Sequence, residues 1–463
     1  LRLFLKRNRR QPAWDLTRIP LIRLAWPIFV ENLLRTSLMS VDTFMLSRYS
    51  MKAVAAMSLV IQLAFFIQLV YMMISLGASI IISQNLGAQR RHDAGVVGVG
   101  SLGLISAFSV VLSAAIAIAA GPIVDLYRLE PEVATYARQF LTIFGGLSFF
   151  MAVNIGQASI LRAWGHPRDP MVINAAALAL TVAGNALCLF GPFGFPVLGV
   201  AGVACSTVTS QFLSCIAYYF LFRRRSEIEL PLRRLLRVPG SVFRAILAVG
   251  IPTAGETLSY NVSQIVIFSM IARMGTDSLA TCGILIAALR YVFMPGISIG
   301  SGGQIKVGYI VGAGRHGEAR GKVFGYFGLG FAISLALVAV LNVFQRPILG
   351  LFSKEGSVLA LAAPVLLVSL FHEPARNFNT IINPALKGAG DIRFPVIVGV
   401  ISMWSISIFG AWLLGIRLGL GLVGVWLAMA VEEWARGIFM FLRWRSGIWT
   451  GKRLRGYGDS STG

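Results

Sequence analysis

Eleven ionisable side chains interrupt otherwise apolar runs of this 463-residue chain: the carboxylates of Glu31, Asp42, Glu256, Glu373, Glu432 and Glu433, and the bases Arg35, Arg290, Lys306, Arg376 and Arg436. At the centre of a membrane helix each costs about 2.5–3.5 kcal/mol on insertion scales, so each must be paired, hydrated or functional. The chemistry open to them is ion pairing, uptake of a proton or cation, and recognition of a charged solute. Glu31, Arg35 and Asp42 fall at about 0°, 40° and 20° on a helix turning about 100° per residue, so they share one stripe. That stripe faces a cavity or the interior of a bundle. For Glu31 and Arg35 two readings stand: a self-neutralising i, i+4 pair, or a share in cation coupling. Asp42 has no base so close in its own helix and reads as the coupling carboxylate. Burial favours its protonated form and a nearby Arg its ionised form, so a conformational change can load and release a proton. Pro27, about four turns away, removes a backbone hydrogen bond, and a bend of the helix there on protonation of Asp42 is expected.

The remaining charged sites form local groups. Glu256 shares a face with Tyr260 and Ser263. Glu373 and Arg376 are spaced to pair, with Asn377 and Thr380 continuing their face, and His372 beside them reads as a buried helix residue or a proton relay. Glu432, Glu433 and Arg436 read as a structural ion pair. Cavity candidates are therefore Glu256, Tyr260, Arg290, Glu373, Arg376, Asn377 and Asn185.

Long apolar elements must carry these residues. The chain is 56% hydrophobic and only 13% charged, with a mean hydropathy of +0.75, whereas soluble domains are about a quarter charged. A membrane helix needs about 20 mostly apolar residues. Runs of that length fall near 19–46, 54–83, 95–122, 139–161, 171–193 and 198–222. A second set falls near 243–272, 279–310, 322–344, 358–385, 395–416 and 420–442. The expected fold is all-α, twelve transmembrane helices in two six-helix lobes. Barrel strands would be about ten residues long and strictly alternating. The expected units are a basic cytoplasmic N-terminus 1–18, an N-lobe 19–222, a linker 223–241, a C-lobe 242–446 and a C-terminal tail 447–463.

Charge sets the orientation. With 41 Lys and Arg against 19 Asp and Glu, the net charge is +22. Placing the N-terminus inside puts 28 bases in cytoplasmic loops and ends, against 8 on the other side, so both termini are expected in the cytoplasm of a cell (inner) membrane. The basic excess is thus an orientation signal with affinity for anionic lipid. Nucleic-acid binding would place bases among aromatics on a polar domain. The N-terminus lacks a small-residue cleavage site after a short apolar core and reads as an uncleaved first helix. Cys188, Cys205, Cys215 and Cys282 lie in apolar stretches without ligand spacing, so neither a disulfide framework nor a metal site is expected.

The chain also repeats itself. Pro27 and Glu31 recur as Pro252 and Glu256, a shift of 225, and that shift carries 24–94 onto 249–319 with 15 identities in 71 positions. It still holds for Asn154 with Asn379, Gly165 with Gly390, and Arg168 with Arg393. Six helices per copy leave both copies in the same orientation, the arrangement of transporters that rock around a site between their halves.

At this point the sequence resembles the multidrug and toxic compound extrusion family, over nearly its whole length. The resemblance rests on Pro27 to Asp42 with Val41-Asp42-Thr43, Asn85-Leu86-Gly87-Ala88, Leu161-Arg162-Ala163-Trp164-Gly165, Phe293-Met294-Pro295-Gly296, Gly312-Ala313-Gly314, Leu386-Lys387-Gly388-Ala389-Gly390-Asp391 and Gly424-Val425-Trp426-Leu427-Ala428. It implies a V-shaped pair of lobes and export of small, typically cationic, drugs or metabolites against inward H⁺ or Na⁺. It also implies that Asp42 matches the first-helix coupling acid. Tyr260 stands where the sodium-linked branch has a seventh-helix acid, Arg376 near another acid of that branch, and Asn185 where some members have a fifth-helix Asp. These departures favour protons over sodium. Arg290 and Lys306 leave room for an anionic or zwitterionic substrate. The nearest rival is a flippase or exporter of a lipid-linked or anionic substrate. A passive channel fits poorly with two matching lobes and paired intramembrane charges. No HExxH, GxSxG or phosphate loop is present, so no catalytic residue is expected, nor any cofactor beyond the coupling ion. Small-molecule substrates and membrane lipids are the expected partners of a monomer.

Overall fold

The computed structural model describes residues 19–194, 196–225, 227–231, 238–350 and 355–452. Residues 1–18, the centre of the linker and residues 453–463 of the tail, each part of a unit expected above, lie outside the described residues. Within them the chain forms α1 (Leu21–Tyr49), α2 (Met51–Gly87), α3 (Arg91–Asp125) and α4 (Pro131–Gly145 and Phe149–Ala163, bent by 48°). Next come α5 (Arg168–Phe190), α6 (Gly199–Arg224), α7 (Gly240–Ala272) and α8 (Thr276–Gly312). The series ends with α9 (His316–Val343), α10 (Gly356–Ala389), α11 (Arg393–Arg417) and α12 (Gly421–Ser446). Each overlaps one of the twelve apolar runs. Large apolar side chains such as Val111, Ile118, Val343, Leu367 and Ile401 are exposed, as a protein solvated by lipid requires. α1, α7 and α12 are long enough to span but less apolar, because they carry charged and polar groups turned inward.

The internal repeat sets helix boundaries as well as residues. Shifting α2 by 225 reproduces both ends of α8, and the starts of α3, α4 and α5 become those of α9, α10 and α11. The turn after α4 shows how the local sequence achieves this. Gly165 and its mate Gly390 have φ of 83° and 99°, a left-handed conformation natural to glycine at a helix end. In one copy His166 N donates to Leu161 O at 2.9 Å; in the other Asp391 N donates to Leu386 O at 3.0 Å. The same turn therefore fixes Arg162 and Lys387, three residues before each glycine, in equivalent places.

That turn buries His166 beside Glu227, at 3.5 Å. Burial, and secondarily the charge of Arg225, push its pKa down to about 4. An unfolded histidine titrates near about 6.5, so between these values the unfolded chain binds the extra proton. Stability is full above the window and is lost as the pH falls through it. Thermal unfolding in detergent should show this acid-side loss in the native protein and less of it in His166→Gln. Equal profiles would contradict the assignment.

The lobes meet through α1 and α2 on one side and α7 and α8 on the other. Their tightest approaches gather at one end of the molecule. A Cβ on Gly87 would lie 2.0 Å from the Tyr309 carbonyl oxygen, and one on its mate Gly312 would lie 2.0 Å from that of Gln84. Gln84 Nε2 donates to Gly388 O at 2.8 Å, and Lys306 Nζ to Ile19 O. Gly87→Val is therefore expected to hold this end open. A cysteine at Ser83, fully buried here, should then label with maleimide at least about tenfold faster; unchanged labelling would contradict the closure.

Candidate functional site

Between the lobes lies a cavity of about 830 Å³, within the range of small-molecule sites. Its walls carry two matching ion pairs. In the N-lobe, Glu31 of α1 accepts Arg162 Nη1 at 3.1 and 3.0 Å and Asn174 Nδ2 at 2.8 Å, and Tyr218 OH donates to Asn174 Oδ1 at 3.2 Å. In the C-lobe, Glu256 of α7 accepts Lys387 Nζ at 2.6 Å and Asn383 Nδ2 at 2.9 Å. Glu31 and Glu256 are repeat mates, and so are Arg162 and Lys387. The amide is supplied differently. The mate of Asn174 is Gly399, whose added Cβ would meet Glu256 Oε1 at 3.1 Å, and Asn383 replaces it from α10.

These pairs correct two readings. Glu31 pairs with Arg162 and not with Arg35. Arg162 and Lys387, two of the 28 bases counted above as belonging to cytoplasmic loops and ends, are instead side chains in the cavity wall. The signal was present in the sequence: acid and base both recur at the constant shift.

The C-lobe adds more charge. Arg376 lies 3.2 Å from Glu373 and stacks on the Phe293 ring, 3.6 Å from its centroid. Arg436 contacts both Glu432 and Glu433 at 3.0 Å. Glu433 also accepts Asn379 Nδ2 at 2.5 Å, and Glu432 accepts Ser402 Oγ at 2.6 Å. In the N-lobe the mates of Asn379 and Arg436 are Asn154 and Gln211, a neutral amide pair 2.5 Å apart. Over Phe378–Ile382, α10 widens into a π-type turn, a local feature often found at functional sites. Asn379 and Thr380 within this turn, and Asn383 and Lys387 beyond it, all line the cavity. Asn377 does not: it is buried and bonds the backbone oxygens of Glu373 and Pro374. His372 Nδ1 sits 3.4 Å from Glu373 Oε1, away from the cavity wall.

Other sequence candidates separate. Tyr260 and its mate Arg35 both line the cavity. Arg290 is exposed outside the lining, and Lys306 is buried against the start of α1, so neither belongs to the cavity wall. Asp42 lies outside the lining too. Within the N-lobe it accepts Asn185 Nδ2 from α5 at 3.0 Å, while the buried Asn185 Oδ1 has no hydrogen-bond partner among the described residues. The mates of Asp42 and Asn185 are Ile267 and Gly410, so this acid–amide pair occurs in one lobe only.

Comparison with known proteins agrees with this architecture. The MatE family model matches residues 27–187 and again 252–413, two stretches whose starts are 225 apart. The chain is 36% identical to an uncharacterised transporter, YisQ, of Bacillus subtilis, over 94% of this chain and 95% of that one. It is 28% identical to a probable multidrug resistance protein, NorM, of Thermotoga maritima, over 93% of each. It superimposes with a TM-score of 0.85 on the outward-facing conformation of a multidrug resistance MATE family transporter of the MOP superfamily, at 20% identity over 95% of this chain and 98% of that one. With the duplicated helices, the inward charges and the family match in hand, the chain belongs to the MatE family of membrane transporters, the multidrug and toxic compound extrusion proteins.

Proposed function

We propose that this transporter exports small organic compounds by alternating access, in exchange for protons taken up at Asp42. The observation that carries this reading is the half-made pair with Asn185. With Asp42 ionised, one hydrogen bond joins the two side chains and the buried Asn185 Oδ1 is left empty. An unmade bond to a buried acceptor costs about 1–3 kcal/mol. A protonated Asp42 supplies the missing donor: its O–H reaches Asn185 Oδ1 while its other oxygen keeps the amide bond, closing a two-bond acid–amide ring. Protonation thereby draws α1 and α5 together, a local event able to bias the position of the lobe.

The orientation read from charge puts the closed end, where Gly87 meets Tyr309, at the cytoplasm, so the cavity faces outward. One proton entering down about 100 mV is worth about 2.3 kcal/mol, enough for roughly a 50-fold gradient of an uncharged substrate. Similarity to a protein named for multidrug resistance supports the substrate breadth. Sodium is the competing ion. The test is uptake of fluorescent organic probes into inside-out proteoliposomes under an imposed pH gradient, in sodium-free buffer and with a sodium gradient. Accumulation driven by the pH gradient alone supports the proposal; strict dependence on sodium overturns it.

A further inference from the structure

The charges on the cavity wall do not balance pair by pair. Arg162, Lys387, Arg376 and Arg436 each have a carboxylate within 3.2 Å. Every acid lining the cavity is likewise engaged: Glu31 by Arg162 and Asn174, Glu256 by Lys387 and Asn383, Glu433 by Arg436 and Asn379. Arg35 is the exception. It lines the cavity and is exposed to it, and among the described residues its guanidinium makes no hydrogen bond or ion pair. One turn away, both oxygens of Glu31 already accept from Arg162. Its repeat mate on the facing lobe is Tyr260, a neutral side chain.

An entering ligand therefore meets one guanidinium without a hydrogen-bonded or ion-paired partner, held only in the longer-range field of Glu31 and Arg162, and no carboxylate that lacks such a partner. We propose that the substrate is an amphipathic organic anion whose carboxylate, sulfonate or phosphate is held by Arg35. A guanidinium offers paired N–H donors that match the two oxygens of such a group. The apolar body of the ligand has a surface to meet in Met72, Phe144, Met151, Ile155, Phe293 and Ile297, and the flexible thioethers suit varied shapes. An organic cation would have to displace Arg162 or Lys387 from its acid before finding a counter-charge.

This assignment names the substrate class of the exporter proposed above and rests on that reading only for the direction of movement. Binding is therefore measured without any gradient, on the protein in nanodiscs of neutral lipid. The probes are fluorescein, an anion, and a rhodamine methyl ester, a cation on the same xanthene frame. Fluorescein is expected to bind about tenfold tighter or more. Arg35→Gln should remove that preference and Arg35→Lys should keep part of it. Among the described residues Arg35 makes no hydrogen bond or ion pair and is tied to Glu31 only by longer-range charge, so neither variant removes a bonded contact of the fold, and the melting temperature of each variant checks that it is folded. Equal or weaker binding of fluorescein, absence of binding included, overturns the proposal, as does a preference that survives Arg35→Gln. Failure of pH-driven transport with the binding preference intact would count instead against the exporter reading.

Discussion

Asp42→Asn is expected to abolish uphill, pH-driven export while leaving the folded protein and downhill exchange in place. An asparagine keeps the size of the side chain, and its amide can both accept from Asn185 Nδ2 and donate to Asn185 Oδ1. It thus completes permanently the ring that the native carboxylate completes only when protonated. The variant should be locked in the proton-loaded arrangement and lose the roughly 50-fold concentrating capacity that one proton per 100 mV provides. Asp42→Glu, which still titrates, should recover part of the activity. Asn185→Leu removes both the donor and the orphan acceptor, so it should shift the pH dependence of export without abolishing it. Transport assays in proteoliposomes at a fixed pH gradient read all three. Full-rate accumulation by Asp42→Asn would refute coupling at this residue.

The second large effect concerns stability. Lys387→Met strands Glu256, whose carboxylate is buried and receives its shortest bond, 2.6 Å, from the lost ammonium. Removing one partner of a buried pair costs about 3–5 kcal/mol, chiefly because the remaining charge has no counter-charge. The double variant Glu256→Gln with Lys387→Met leaves no such charge and should recover most of the loss. Thermal unfolding followed by tryptophan fluorescence is the measurement. If the double variant is as unstable as the single, the pair does not act as a compensated unit. The matching experiment at Glu31 and Arg162 should give the same sign, since each stranded acid keeps one amide donor, Asn174 at 2.8 Å for Glu31 and Asn383 at 2.9 Å for Glu256.

The architecture was readable because two independent signals coincide. Apolar runs mark the spans, and the 225-residue shift marks the duplication down to shared helix starts. Pairing across helices was harder to see. Glu31 and Arg35 satisfy the i, i+4 spacing, yet Arg162 arrives from α4 with two bonds to the same carboxylate. Counting bases in loops placed Arg162 and Lys387 at the membrane surface, because a residue at a helix end can turn its side chain back into the bundle. Moving both into the wall leaves the loop count at 26 to 8, so the orientation argument survives. The π-type turn at Phe378–Ile382 has no sequence signature, and the face assigned to Asn377 is measured from Glu373, which itself lies behind the cavity wall, so neither residue lines the cavity while Asn379 does.

The most direct test of proton coupling at Asp42 is the infrared difference spectrum of the purified transporter in lipid between neutral and acidic pH. The account predicts a carbonyl band of a hydrogen-bonded carboxylic acid that appears on acidification, vanishes in Asp42→Asn and moves to higher frequency in Asn185→Leu. A difference spectrum identical in the native protein and Asp42→Asn would contradict it.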